Sequence, residues 1–87
     1  MEELEYLFDD GVNFKIEGVE DGYVVSIECD NPLMGTFSTF EDMLYGIAPV
    51  VQQYMHDNLD VEAFAIAIDV NFKNELGDEG ITEILMK

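Results

Sequence analysis

The chain has no arginine and no tryptophan, and only three lysines, one histidine, one cysteine and two prolines among 87 residues. Each shortage excludes something. Three scattered lysines, Lys15, Lys73 and Lys87, cannot build the basic stripe that grips nucleic-acid phosphates, so no direct nucleic-acid contact is expected. The same shortage disfavours attachment to anionic lipid, and no apolar run approaches the roughly 18 residues of a membrane span. Cys29 stands alone, so an internal disulfide and a CxxC metal site are excluded. The first residues, Met1-Glu2-Glu3-Leu4-Glu5, are acidic where a secretory signal would be basic, which predicts a cytoplasmic protein.

Equipment for catalysis is equally sparse. A nucleophile–base pair would need His56 beside Cys29 or a serine. His56 falls at the exposed end of a helical pattern, and Cys29 continues the apolar face of a strand pattern, which reads as a buried structural thiol. There is no GxSxG, P-loop or HExxH pattern. Asp57-Asn58-x-Asp60-x-Glu62 and Asp78-Glu79 gather oxygen ligands, but neither has the spacing of the twelve-residue calcium loop. The expectation is a protein without enzymatic activity, metal or cofactor.

What is present is acid. Asp and Glu number 20, giving a formal net charge of −17. The apolar fraction is 48%, with six Phe and four Tyr, which disordered acidic tails lack. The length predicts a single domain, 1–87. A chain of this size buries only about 60% of its unfolded surface, so its stability margin is thin.

The patterning predicts the elements. Leu4, Leu7 and Phe8 lie at i, i+3, i+4 behind acids, which suggests a short helix over 1–10, stopped by Gly11. Val12, Phe14 and Ile16 alternate with Asn13, Lys15 and Glu17. Tyr23, Val25, Ile27 and Cys29 alternate with Val24, Ser26 and Glu28. Between these runs lies Gly18-Val19-Glu20-Asp21-Gly22, whose Asp-Gly is a turn signal, so a hairpin is expected. Asp30-Asn31-Pro32 ends the second strand, and Met34 to Phe37 forms a third. Ser38 or Thr39 caps the next helix, Ser38 with Glu41 fitting a capping box. Phe40, Leu44, Ile47, Val51 and Tyr54 form its apolar seam. Pro49, preceded by Gly46, predicts a kink or a division into two helices.

The stretch 61–72 is ambiguous. Phe64, Ile66, Ile68, Val70 and Phe72 recur with period two, favouring a strand, while Ala63, Ala65 and Ala67 keep a helix open. Gly77-Asp78-Glu79-Gly80 reads as a turn and 81–86 as a closing strand. The predicted class is α+β: a two-layer sandwich in the order α-β-β-β-α-β-β. Its mostly antiparallel sheet of about four or five strands carries one main kinked helix.

The acids avoid the apolar faces and crowd the connections and polar faces. A charge this large exceeds the magnitude of about 2–8 that suits a small domain, and its self-repulsion opposes folding. Duplex DNA carries about one negative charge per 1.7 Å of axis, and its binding proteins have basic clefts to match. A rigid protein with carboxylates on one face can occupy such a cleft, which predicts a basic nucleic-acid-binding protein or enzyme as partner. The hairpin acids Glu17, Glu20, Asp21, Glu28 and Asp30 are the leading candidates for that face, followed by Asp57, Asp60 and Glu62. Tyr6, Phe8, Met34 and Tyr45 are candidates for apolar contacts between the charges. An alternative is a homodimer joined through Ala63, Ala65 and Ala67.

In size and charge the chain resembles the small acidic inhibitors of phages and mobile elements, among them anti-CRISPR and anti-restriction proteins and uracil-DNA glycosylase inhibitors. One anti-CRISPR group shares the predicted α-β-β-β-α opening. A second resemblance is local. Gly22-Tyr23-Val24-Val25-Ser26-Ile27-Glu28-Cys29-Asp30-Asn31-Pro32-Leu33-Met34-Gly35 followed by Ser38-Thr39-Phe40-Glu41-Asp42-Met43-Leu44 is similar to the HicB-like antitoxin pattern over about residues 12–58. The turn and the helix depart from that pattern, since the helix lacks Glu-Glu-Ala and no DNA-binding segment follows. The resemblance implies a β-β-β-α order and a small basic toxin ribonuclease as partner.

Overall fold

The computed structural model describes residues 2–8, 11–28, 33–55, 57–72 and 75–86. Expectations for Cys29, Asp30, Asn31, Pro32 and His56 fall outside these residues. The elements are β1 (Glu3–Leu7), β2 (Asn13–Val19), β3 (Gly22–Glu28), β4 (Leu33–Phe37), α1 (Phe40–Tyr54), α2 (Asn58–Asn71) and α3 (Gly77–Leu85). The class is α+β, with one antiparallel four-stranded sheet and three helices. Two compact units divide the chain, Met1–Met43 and Leu44–Lys87.

The first unit is a meander with strand order β1-β2-β3-β4, every neighbour antiparallel. Phe14 and Ile16 of β2 are fully buried, as are nearly all of Val25 and Ile27 opposite them on β3. This is the period-two pattern of the sequence converted into one buried face. Phe8 stacks on Phe14 with ring centroids 4.8 Å apart, and Tyr6 meets Phe8 edge-on at 5.4 Å.

The expected helix over 1–10 is a strand at Glu3–Leu7. Leu4, Tyr6 and Phe8 follow period two and face inward beside Ile16 and Phe14, while Leu7 is 69% exposed. Pairing with β2 outweighs the weak helical spacing of so short a segment. Phe8 accepts from the Gly11 amide at 3.0 Å and donates to the Val12 carbonyl at 2.8 Å, closing the β1–β2 turn. The chain therefore opens β-β-β-β-α, and the α-β-β-β-α layout is not present. Residues 13–54 do follow the β-β-β-α order.

The β2–β3 hairpin lies where the alternation places it. Glu20 and Asp21 are its two loop residues, since Val19 pairs with Gly22. Gly22 has φ +149°, and a Cβ there would collide with the carbonyl oxygen of Phe37. Glycine is thus required by the close approach of the β4 backbone. Thr39 caps α1, its Oγ1 accepting from the Asp42 amide at 3.1 Å, so the cap is Thr39 rather than Ser38 with Glu41. Tyr23 meets Phe40 edge-on at 5.7 Å, tying the first turn of α1 to β3.

In the second unit α1 continues unbroken through Pro49, so the division into two helices does not occur. Pro49, Gly46 and Tyr45 are all exposed, where the carbonyl deprived of its partner meets water. Leu44, Ile47, Ala48, Val51 and Met55 are buried at helical spacing. Gln52 donates from Nε2 to the carbonyl of Leu85 at 3.0 Å, satisfying one of the last acceptors of α3.

The stretch 61–71 is helical, with Phe72 as the C-cap of α2. Val61, Phe64, Ala65, Ile68 and Phe72 are buried, which is a helical seam, whereas Ile66 and Val70 of the supposed strand face are 48% and 71% exposed. Asp57 starts this helix by accepting from the Leu59 amide at 2.9 Å. Ala65 is fully buried within the single chain, and Ala63 and Ala67 lie elsewhere around the helix. The three alanines therefore form no common exposed face. The expected turn and closing strand over 77–86 are α3, with Ile81, Ile84 and Leu85 buried at i, i+3, i+4. No helix among the described residues is long and apolar enough to cross a membrane.

Candidate functional site

Strand alternation that buries one set of residues turns the intervening set to the opposite face of the sheet. The strand register places Glu3, Glu5 and Leu7 of β1 on the displayed face. Beside them lie Asn13, Lys15, Glu17 and Val19 of β2, Val24, Ser26 and Glu28 of β3, and Met34 and Thr36 of β4. Glu3 lies directly opposite Glu17, and Glu5 opposite Lys15. Four carboxylates thus share one face with a single ammonium, which is the one cation among the described residues.

Two of the carboxylates are held in place. The Lys15 ammonium sits 3.2 Å from the Glu17 carboxylate. Its pKa is raised above the ordinary 10.5 by the hydrogen bond to Glu17, by the Glu17 charge, and then by the charges of Glu3 and Glu5. The Asn13 amide nitrogen donates to Glu5 at 3.0 Å. That orientation leaves Asn13 Oδ1 buried without a partner among the described residues. Glu3 facing Glu17 is a like-charge cross-strand pair, which costs stability. Side chains i and i+2 on a strand stand about 6.8 Å apart and neighbouring strands about 4.8 Å apart, so Glu3, Glu5 and Glu17 cluster within about 5–8 Å of one another, while Glu28 stands about 12 Å from Glu5 on the same face. Apolar groups flank these carboxylates, Met34 on the β4 edge and Leu7 at the end of β1. Met34 is 78% exposed and Leu7 69% exposed.

The structure gathers some of the expected acids and separates others. Glu17 and Glu28 lie on the displayed sheet face. Glu20 and Asp21 lie at the β2–β3 tip, where they line a shallow recess of ≈ 580 Å³ with Glu2, Tyr23 and Ser38. Asp30 lies outside the described residues. Asp57 caps α2 and Asp60 is in its first turn. Glu62 lines a second recess, of ≈ 400 Å³, between α2 and α3 with Ile66, Asp78, Glu79, Thr82 and Glu83. Among the described residues no group of three or more His, Cys, Asp or Glu side chains is placed to hold a metal ion. Of the expected apolar contacts, Met34 and Tyr45 are exposed, Tyr6 is half-buried, and Phe8 is buried in the core and cannot serve as one.

Glu3 and Glu5 were not among the expected site residues, because their segment reads as a helix. Their alternation with Leu4, Tyr6 and Phe8 is the signal that places them on this face. No protein-family model, curated protein or solved structure matches the chain.

Proposed function

We propose that the chain is a non-enzymatic inhibitor whose displayed sheet face occupies the basic cleft of a nucleic-acid-handling protein in place of nucleic acid. The observation that carries this reading is the array Glu3, Glu5, Glu17 and Glu28 on a strand scaffold whose other face is buried. A sheet holds carboxylates at fixed spacing, and Lys15 and Asn13 restrict two of them further. Less side-chain freedom is then lost on binding. The net charge of −17 attracts a basic cleft at long range and speeds encounter. Met34 and Leu7 supply apolar contacts that phosphates cannot, and hence selectivity among basic partners.

The same face also serves a second reading, favoured by the β-β-β-α order of 13–54: an antitoxin-like module covering a small basic ribonuclease. Both readings require a basic partner and a nucleic-acid site that becomes blocked.

The test is competition. The immobilised chain is exposed to bacterial lysate at low salt, and retained proteins are challenged with duplex DNA and, separately, with single-stranded RNA. The expected result is release of a nucleic-acid-binding protein by one of these polyanions, and its loss when Glu3, Glu5, Glu17 and Glu28 are all changed to Gln. Retention that ignores both polyanions and survives the fourfold change overturns the reading.

A further inference from the structure

We propose that the free edge of β4 pairs with an extended segment of the partner, one that is uncharged in its middle and basic at both ends. This deepens the proposed function and rests on it.

β4 (Leu33–Phe37) is the last strand of the sheet, so one side of its backbone has no strand beside it among the described residues. Edge strands are usually blunted by charge, proline or a bulge, because their free amides and carbonyls template the addition of another strand. The opposite edge, β1, carries Glu3 and Glu5. β4 reads Leu-Met-Gly-Thr-Phe and carries neither charge nor proline. Leu33 is 50% and Met34 78% exposed. In a chain of −17 this uncharged, apolar edge is the exception.

The ends of the strand decide what can lie along it. Ile27 pairs with Leu33, so Glu28 stands at the Leu33 end. At the other end Tyr23 pairs with Phe37, and Asp21 lines a recess with Thr36, Phe37 and Ser38. Glu41 and Asp42 follow in the exposed first turn of α1, which the Tyr23–Phe40 contact holds nearby. Carboxylates therefore flank an uncharged strand about 17 Å long at both ends.

A second copy of the chain fits this edge poorly. Edge-to-edge pairing of two copies would join two sheets from chains that each carry −17, and that like charge opposes it. An extended segment with lysine or arginine at each end is instead attracted by the carboxylates that stand one strand spacing behind the edge at both ends, within reach of those long side chains. Backbone hydrogen bonds would supply the affinity and the flanking charges the selection. Because acids stand at both ends, the segment's direction is not dictated by charge.

The full chain, labelled with nitrogen-15, is titrated with the peptide KRTVTVTRK and with the same peptide N-methylated at alternate residues. N-methylation removes strand pairing and keeps every charge. The expected result is amide shifts concentrated in 33–37, slowed hydrogen exchange there, and affinity at least about tenfold weaker for the N-methylated peptide. Met34→Lys, at an exposed position, should weaken the unmethylated peptide by a similar factor and leave the free chain folded. Equal binding of the two peptides, or shifts spread over Glu3, Glu5 and Glu17 with none at β4, overturns the proposal while leaving the acidic-face reading standing. A two-chain mass that disappears in Met34→Lys assigns the edge to a second copy and likewise overturns it. Failure of the acidic-face reading is read separately, from the polyanion competition.

Discussion

Gly22→Ala probes the hairpin that supports the acidic face. Gly22 has φ +149°, and the nearest atoms to an added Cβ are the backbone of Phe37 and Ser38, which no side-chain rotation can relieve. The unfavourable backbone conformation costs about 1–3 kcal/mol. Relief of the collision requires β4 to move away from β3 at the Tyr23–Phe37 pair, loosening one or two backbone hydrogen bonds worth about 1 kcal/mol each. The expected loss is about 2–5 kcal/mol. For 87 residues the total stability is roughly 4–13 kcal/mol, so a large share of it is at stake. The control is Gly11→Ala. Gly11 has φ +83°, but nothing lies within 4 Å of an added Cβ. Only the left-handed conformation is penalised there, at about 1–2 kcal/mol. Urea unfolding of both variants measures the difference. Gly22→Ala should also melt about 8–40 °C below the parent. If the two variants lose the same stability, β4 does not approach Gly22 as described and the geometry of the sheet's β4 edge is wrong.

Other consequences concern the helices and Lys15. Phe64→Ala should cost about 3–5 kcal/mol in urea unfolding and Ile66→Ala less than about 0.5, because only the first is buried. Equal losses would restore the period-two strand. Asp57→Ala removes the cap of α2 and should cost about 1 kcal/mol, with reduced helical circular dichroism before the main transition; an unchanged midpoint contradicts the cap. Lys15 has a pKa raised in the folded chain, so the unfolded chain gives up this proton first as pH rises. Its stabilisation is complete below 10.5 and is lost as pH climbs through the higher folded value. Urea midpoints of the parent should therefore fall faster above that pH than those of Lys15→Gln, and parallel profiles would remove the role given to Glu17, Glu3 and Glu5.

The central hairpin was legible because β2 and β3 alternate between apolar and polar residues, Val19 and Val24 excepted, and a one-residue slip would turn Phe14, Ile16, Val25 and Ile27 off one common face. β4 does not alternate: it reads Leu-Met-Gly-Thr-Phe with no buried residue, and the expected strand over 34–37 falls one residue short of its Leu33–Phe37. β1 was not legible. Leu4 and Phe8 belong to both a period-two and a helical pattern, and the choice between Tyr6 and Leu7 as their companion is made by pairing with β2. The stretch 61–72 misleads because apolar residues fill every even position from 64 to 72 while the helix leaves Ile66 and Val70 in solvent. The helical signals there were the alanines and Asp57, whose oxygen serves the Leu59 amide. Half of the displayed array was legible as well. Glu17 and Glu28 follow from their strands, and Glu3 and Glu5 became visible only with β1.

The claim that the displayed carboxylates bind as a nucleic-acid substitute is tested most directly by salt. Affinity for the polyanion-displaceable partner is measured over a salt series for the parent and for the chain with Glu3, Glu5, Glu17 and Glu28 changed to Gln. The account predicts a steep fall in the parent's affinity with rising salt, and a markedly shallower slope after neutralisation. An affinity that is flat with salt, or an equal slope in both chains, contradicts it.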